Sequence, residues 1–317
     1  MSPIVQDHYG EAEDVLRLET IPRPEIADDQ VLVRVHAAGV DRGVWHLMAG
    51  MPRLIRAGFG LRAPKSRVRG LEFAGVVEAA GPKVTNVAPG DEVYGIGQGT
   101  FAEYTVVRSD KIAPKPHNLT FVQAAAAPIS ALTALQGLRD VARVRVGQRV
   151  LVIGASGGVG SFAVQIAKAE VTGVCRTDKV DLVRSLGADH VLDYTHEDLT
   201  EGHDVILDTG GHRSLSRLRH ALTPAGTLIL VGSETGGRWL GGFDRSLRAP
   251  VVSMFVHQNL RIFVNSENAA DLIALTELIE SGKVTPAVDS TYPLSEAATA
   301  VQQMVDGKAR GKVVITV

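Results

Sequence analysis

The chain has 317 residues, 45% of them hydrophobic and 21% charged, with a formal net charge of -2. That length suits one large or two medium domains, and the charge gives no general attraction to nucleic acid or to an anionic membrane. A lone cysteine, Cys175, excludes an internal disulfide; Asp7, Glu11, Glu13 and Asp14 argue against a signal peptide; no apolar run is long enough to span a membrane, so a cytoplasmic enzyme is expected.

The first third reads as β-rich. Strands are expected over residues 30–37, where Val31, Val33 and Val35 alternate, and over 70–80, 92–96 and 101–107, divided by Gly and Pro. Short strands punctuated in this way predict a small barrel or sandwich. Residues 121–139 read as one helix. From residue 149 onward strands and helices alternate. Strands are expected at 149–153, 171–175, 190–192, 204–208, 227–231 and 260–264. Helices are expected from 159 to about 169, at 179–186 and at 213–222. The alternation predicts an α/β domain with a doubly wound parallel sheet. Helices at 269–281 and 295–306 and a strand at 312–316 close the chain.

The strand at 149–153 runs into Gly154-Ala155-Ser156-Gly157-Gly158-Val159-Gly160, which opens the next helix. Glycines allow a tight turn and a close ligand approach, and the amides of a new helix favour a phosphate. A strand, glycines at these spacings and a helix together form a dinucleotide-binding arrangement. Ala155, Ser156, Gly157, Gly158 and Val159 are therefore expected to hold the cofactor.

With Gln165 and Lys168, residues 147–168 resemble the signature of quinone oxidoreductases and zeta-crystallin, within the medium-chain dehydrogenase/reductase superfamily. Residues 70–78 and 90–93 resemble the GroES-like substrate domain of the same superfamily. The likeness extends over essentially the whole chain. It implies a GroES-like β-barrel at 1–120, completed by 265–317, and a Rossmann domain at 121–264. It also implies reduction of a quinone or a conjugated enone or enal by NADPH, with NADH as a second possibility and a homodimer as the assembly considered.

Zinc enzymes of the superfamily hold the metal with Cys and His. Here Asp41 and Leu71 stand at the matching places and the four-cysteine structural lobe is absent, so no zinc is expected. Without a Lewis acid a conjugated acceptor is the easier substrate, because hydride addition spreads charge through its π system. No acid ends the second strand of the cofactor domain. Arg176 and Lys179 flank that strand end and suit a 2′-phosphate. Tyr194 matches a family position beside the adenosine, and Gly232 and Ser233 lie at the carboxyl edge of the sheet.

For the chemistry, the resemblance marks Thr133 as a threonine near the nicotinamide. Asp41 or His46 could donate a proton or orient substrate, while for His46 the favoured reading is a barrel residue bonded to backbone. Trp45 could line an acceptor pocket or fill core. The connection between Ala169 and Val171 is short, so the helix before it must end early or the strand start late. A basic run at Arg53, Arg56, Arg62, Lys65, Arg67 and Arg69 reads as a solvated loop or as a guide for an anion. Two other readings remain: an alkenal or enoyl reductase of the same fold, and an NADPH-binding module that contacts RNA or protein.

Overall fold

A computed structural model describes every residue except 233–236 and 238; Ser233 lies outside the described residues. The chain divides into two compact units, Met1–Leu132 with Ser266–Val317, and Thr133–Asn265.

In the first unit, β1 (Ile4–Val5) and β2 (Arg17–Leu18) flank a helical turn, α1 (Ala12–Val15). The unit is built on β3 (Gln30–Val40), which leads into α2 (Arg42–Ala49) and the single turn α3 (Arg56–Phe59). Then come β4 (Glu72–Ala80), β5 (Glu92–Ile96), β6 (Tyr104–Arg108) and β7 (Ile112–Pro114). Along one edge β3 pairs with β4, with register shifts at Leu32/Val33 and Val35/Ala37. Such irregularities bend and twist a strand. Val31, Val33 and Val35 point into a core shared with Phe73, Val93 and Phe101, as their alternation predicts.

The chain returns to this unit at its end through α10 (Ala269–Glu280), β14 (Val288–Pro293), α11 (Ala297–Val305) and β15 (Lys312–Thr316). On the other edge of β3, β6 pairs with its first half and β15 with its second. Tyr94 on β5 is fully buried and donates to the Leu272 carbonyl at 2.7 Å, tying α10 to the sheet.

Between the two parts run α4 (Phe121–Ala125) and α5 (Pro128–Gln136). Thr120 and Gln123 form a capping box on α4, and Phe121 stacks on His36 of β3 at 4.3 Å. These contacts place α4 with the first unit, so the division falls after Leu132 rather than at residue 120. The single helix expected over 121–139 is interrupted before Pro128, which has no N–H to continue a helix and suits a first-turn position. A π turn, Gly137–Val141, ends it.

The second unit carries six strands: β8 (Arg149–Ile153), β9 (Glu170–Cys175), β10 (His190–Asp193), β11 (His203–Asp208), β12 (Leu222–Leu230) and β13 (Asn259–Ile262). All pairs are parallel, and the spatial order is β10-β9-β8-β11-β12-β13. Numbered from β8, that is 3-2-1-4-5-6, the order of a dinucleotide-binding sheet. Connecting helices are α6 (Gly158–Ile166), α7 (Val180–Ser185), α8 (Leu215–Ala221) and α9 (Phe243–Ser253). The run from β8 to α6 sits where the motif places it.

Several elements differ from expectation, among them the short β1, β2, α1, α3 and β7, which the sequence reading did not assign. Helix α2 and helix α9 form where the sequence reading assigned none, and β14 is a strand whose residues alternate between partial and full exposure. Helix α6 ends at Ile166, not 169. The short connection is made by Lys168, which takes a left-handed φ of 45° where Gly would be unstrained.

Candidate cofactor and substrate site

At the end of β8, Gly154 turns the chain with a φ of 82°. The amides of Gly154 and Ala155 both donate to the Val174 carbonyl at 3.1 Å, fixing the turn to β9. Ala155 and Ser156 are buried in it. Gly157 is the N-cap of α6 and supplies no side-chain cap. The first amides of the helix, from Gly158, Val159 and Gly160, therefore have neither an intrahelical acceptor nor a capping oxygen. Three such donors at the positive end of a helix are suited to a pyrophosphate. A Cβ on Gly157 would meet only the Gly154 carbonyl, at 3.3 Å, so that face of the turn borders open space. A Cβ on Gly160 would lie 2.1 Å from the same oxygen. Gly160 thus serves helix–strand packing, whereas Gly157 borders open space.

Along the same carboxyl edge, Arg176 follows β9 and Tyr194 follows β10. Asp193 pairs with Cys175, and the Tyr194 amide donates to the Cys175 carbonyl at 3.1 Å, so the two side chains leave adjacent strand ends. Tyr194 is half exposed. The fork of Arg176 is engaged by Asp178 at 2.7 and 2.9 Å, and Arg176 holds that carboxyl down at about 2. A 2′-phosphate would have to displace Asp178 from an exposed ion pair, a small cost. Lys179, expected to flank the strand end with Arg176, is buried and has a partner. It closes a 3-10 turn, Thr177–Lys179, which draws it under the edge. Cys175 is buried, and burial pushes its thiol up to about 11.

The sequence reading missed a buried ion pair behind this edge. Asp208, at the end of β11, is fully buried and Arg245 of α9 nearly so. Arg245 Nη1 donates to Asp208 Oδ2 at 2.6 Å and to the Arg213 carbonyl at 2.8 Å; Nη2 donates to the Gly232 carbonyl at 2.9 Å. Asp208 Oδ1 accepts from the amides of Gly210 and Gly211 at 3.2 and 3.1 Å. A Cβ on Gly232 would fall 2.2 Å from the Thr209 carbonyl. One guanidinium therefore holds together the loops after β11 and β12. Nothing in the periodicity around Arg245 marked it as buried; the Asp-Thr-Gly-Gly run ending β11 was the available signal.

In the first unit, Asp41 is the N-cap of α2, its Oδ1 accepting from the Val44 amide at 3.2 Å. Oδ2 is buried without a hydrogen-bond partner, and burial pushes the carboxyl above its usual range. Behind it, Lys312 donates to Glu72 Oε1, and Glu72 Oε2 accepts from the Ile129 amide at 2.8 Å. Gly39 makes room for that pair, since a Cβ there would lie 2.4 Å from Glu72 Oε1. His46, one turn along α2, has Nδ1 at 2.7 Å from the Met51 carbonyl. Its Nδ1 therefore carries the proton in the neutral ring, and Nε2 is the basic nitrogen. Trp45 packs against the barrel core. Thr133 is buried on α5, at the first residue of the second unit. Among the described residues no group of three or more His, Cys, Asp or Glu is placed to hold a metal.

The basic run does not form one surface. Arg67 pairs with Asp7 at 2.6 Å and Glu19 at 3.1 Å; Arg56 donates to the Gly50 carbonyl at 2.9 Å and lies over Tyr9; Arg69 is buried. Arg62 and Lys65 are exposed. Among the described residues no helix is long and apolar enough to cross a membrane.

Residues 27–117 match the alcohol dehydrogenase GroES-like domain, and residues 186–315 match the zinc-binding dehydrogenase model. An NADPH-dependent alkenal/one oxidoreductase of Arabidopsis thaliana is 34% identical over 99% of this chain and 79% of its own. Among solved structures, the quinone oxidoreductase of Coxiella burnetii superposes with a TM-score of 0.85 at 28% identity, covering 100% and 99% of the two chains. The chain belongs to the quinone oxidoreductase-like medium-chain dehydrogenases/reductases. A mycobacterial protein solved with NADPH is also similar, with a TM-score of 0.84 at 26% identity and full coverage of both chains. As a member of this family the chain keeps the glycine turn and the GroES-like unit. Asp41, one of the two residues that the resemblance sets against zinc-ligand positions, is the N-cap of α2.

Proposed function

We propose that this chain is an NADPH-dependent oxidoreductase that reduces a quinone or a conjugated enal or enone without zinc. The observation that carries the reading is the uncapped N-terminus of α6, set by Gly154 and Gly157 at the end of the first strand of a 3-2-1-4-5-6 parallel sheet. The amides of Gly158, Val159 and Gly160 would hold the pyrophosphate. Arg176 would receive the 2′-phosphate in exchange for Asp178, and Tyr194 would border the adenosine. Lys179, being buried, contributes positive potential rather than a contact. Gly232, pinned through Arg245, lines the carboxyl edge on the far side of the turn. Thr133 is assigned to the nicotinamide end. The bound nicotinamide supplies a hydride; the protein supplies orientation and electrostatics.

With Leu71 and Asp41 at the ligand positions, an isolated carbonyl has nothing to polarise its oxygen, so conjugated acceptors are favoured. Asp41 acts as a helix cap. His46, held through Nδ1 on the Met51 carbonyl, is the residue proposed to orient substrate or pass a proton. The anion left by hydride addition takes its proton from water. NADPH oxidation measured across quinones, enals and simple aldehydes, with and without chelator, tests the reading. Turnover of quinones or enals that chelator leaves unchanged supports it; turnover confined to simple aldehydes and abolished by chelator overturns it.

A further inference from the structure

The first unit contains a cavity of about 230 Å³ between α2, the segment around α3 and the start of β4. Val44, Leu47, Phe59 and Leu71 give it an apolar wall; Lys65 and Arg69 give it positive charge. Among the described residues no carboxylate lines it. Arg69 is only 5% exposed, yet among the described residues no acid pairs with it. Its one side-chain hydrogen bond runs from Nη2 to the Ser66 carbonyl, and Nε is buried with no partner. A buried guanidinium that lacks an anion is costly to keep. Its backbone is fixed on both sides, Arg69 N donating to the Ile4 carbonyl at 3.0 Å and Phe101 N to the Arg69 carbonyl at 2.9 Å. Burial lowers the guanidinium to about 10, so it stays cationic at neutral pH. Every other Arg of the basic run is either exposed or already engaged.

We propose that this cavity receives the carboxylate of a small planar acid, with Arg69 as the anion-binding residue, Lys65 as a second charge at the rim and Leu71 and Phe59 against the ring. The inference deepens the reductase reading by naming the acceptor class: a conjugated carbonyl compound that carries a carboxylate. The size agrees, since a dry cavity of about 150 Å³ holds benzene, which leaves room here for a ring and one carboxylate.

The test uses the whole protein without cofactor and two probes of one shape, benzoate and benzamide, titrated by calorimetry or ligand-observed NMR. Benzoate is expected to bind about tenfold or more tighter than benzamide, as a charge-assisted bond to a buried Arg predicts. Arg69→Gln should collapse that ratio, and Lys65→Gln should lower it less. Kinetics with NADPH then compare cinnamaldehyde bearing a para carboxylate with its methyl ester. The ratio of kcat/KM, acid over ester, should favour the acid and fall about tenfold in Arg69→Gln. Equal binding of benzoate and benzamide by the unaltered protein overturns the proposal, even if Arg69→Gln fails to fold. So does an unchanged ratio in a folded Arg69→Gln. Turnover of neutral quinones with no preference for acids overturns this inference and leaves the reductase intact. Benzoate selectivity without turnover of any quinone or enal keeps the site and overturns the reductase.

Discussion

Replacing Arg245 by Met tests the framework behind the proposed cofactor edge. The substitution keeps the bulk of the stem and removes three donated bonds, to Asp208 Oδ2 and to the carbonyls of Arg213 and Gly232. Asp208 remains fully buried with only the two glycine amides on Oδ1. Breaking a buried pair by removing one partner costs about 3–5 kcal/mol, because the remaining charge has lost its compensation. The upper half of that range is expected here, since two backbone carbonyls lose donors as well. Urea unfolding, with hydrogen exchange read on β11 and β12, measures the loss where it arises. Asp208→Asn in the Arg245→Met background should recover part of it by removing the stranded charge. NADPH affinity should fall several-fold at temperatures where the variant is folded, because the Gly232 loop is no longer held. A loss below about 1 kcal/mol would refute the reasoning, since that is the value of an exposed pair.

Gly157→Ala should fold normally and weaken NADPH binding, whereas Gly160→Ala should lower the melting temperature before any ligand is added, because its Cβ would sit 2.1 Å from the Gly154 carbonyl; melting curves and NADPH titration of both variants separate the roles. Asp178→Asn should release the Arg176 fork and raise the preference for NADPH over NADH, and Arg176→Ala should lower it, with both Kd values read by fluorescence. Lys168→Gly should raise stability by about 0.5–1 kcal/mol by removing left-handed strain, measured in urea. His203 is buried and burial lowers its pKa below 6.5, so the neutral ring is favoured in the fold; its contribution is complete above pH 6.5 and is lost on acidification, and His203→Gln should flatten the melting temperature between pH 7.5 and 5.5.

The sequence alone determined the elements whose physics is local. Alternation at Val31, Val33 and Val35, and the largely β-branched apolar run from Val150 to Ile153 bounded by glycines, are local patterns that favour strands. The parallel sheet and the glycine turn followed from them. The tertiary structure alone decided what depends on partners distant in the chain. Lys179 and Arg69 carry the same kind of charge as Arg62 and Lys65, yet the first two are buried and the last two exposed. Asp41 reads as a candidate acid and only the fold shows it as the cap of α2, and Arg245, on which the sequence reading is silent, is bound to an aspartate 37 positions away. A buried charge is set by what surrounds it in space, and burial and hydrogen-bond partners are not periodic in sequence. The short connection after α6 shows both at once: its length was legible as a constraint, and only the folded backbone shows the strain resting on Lys168.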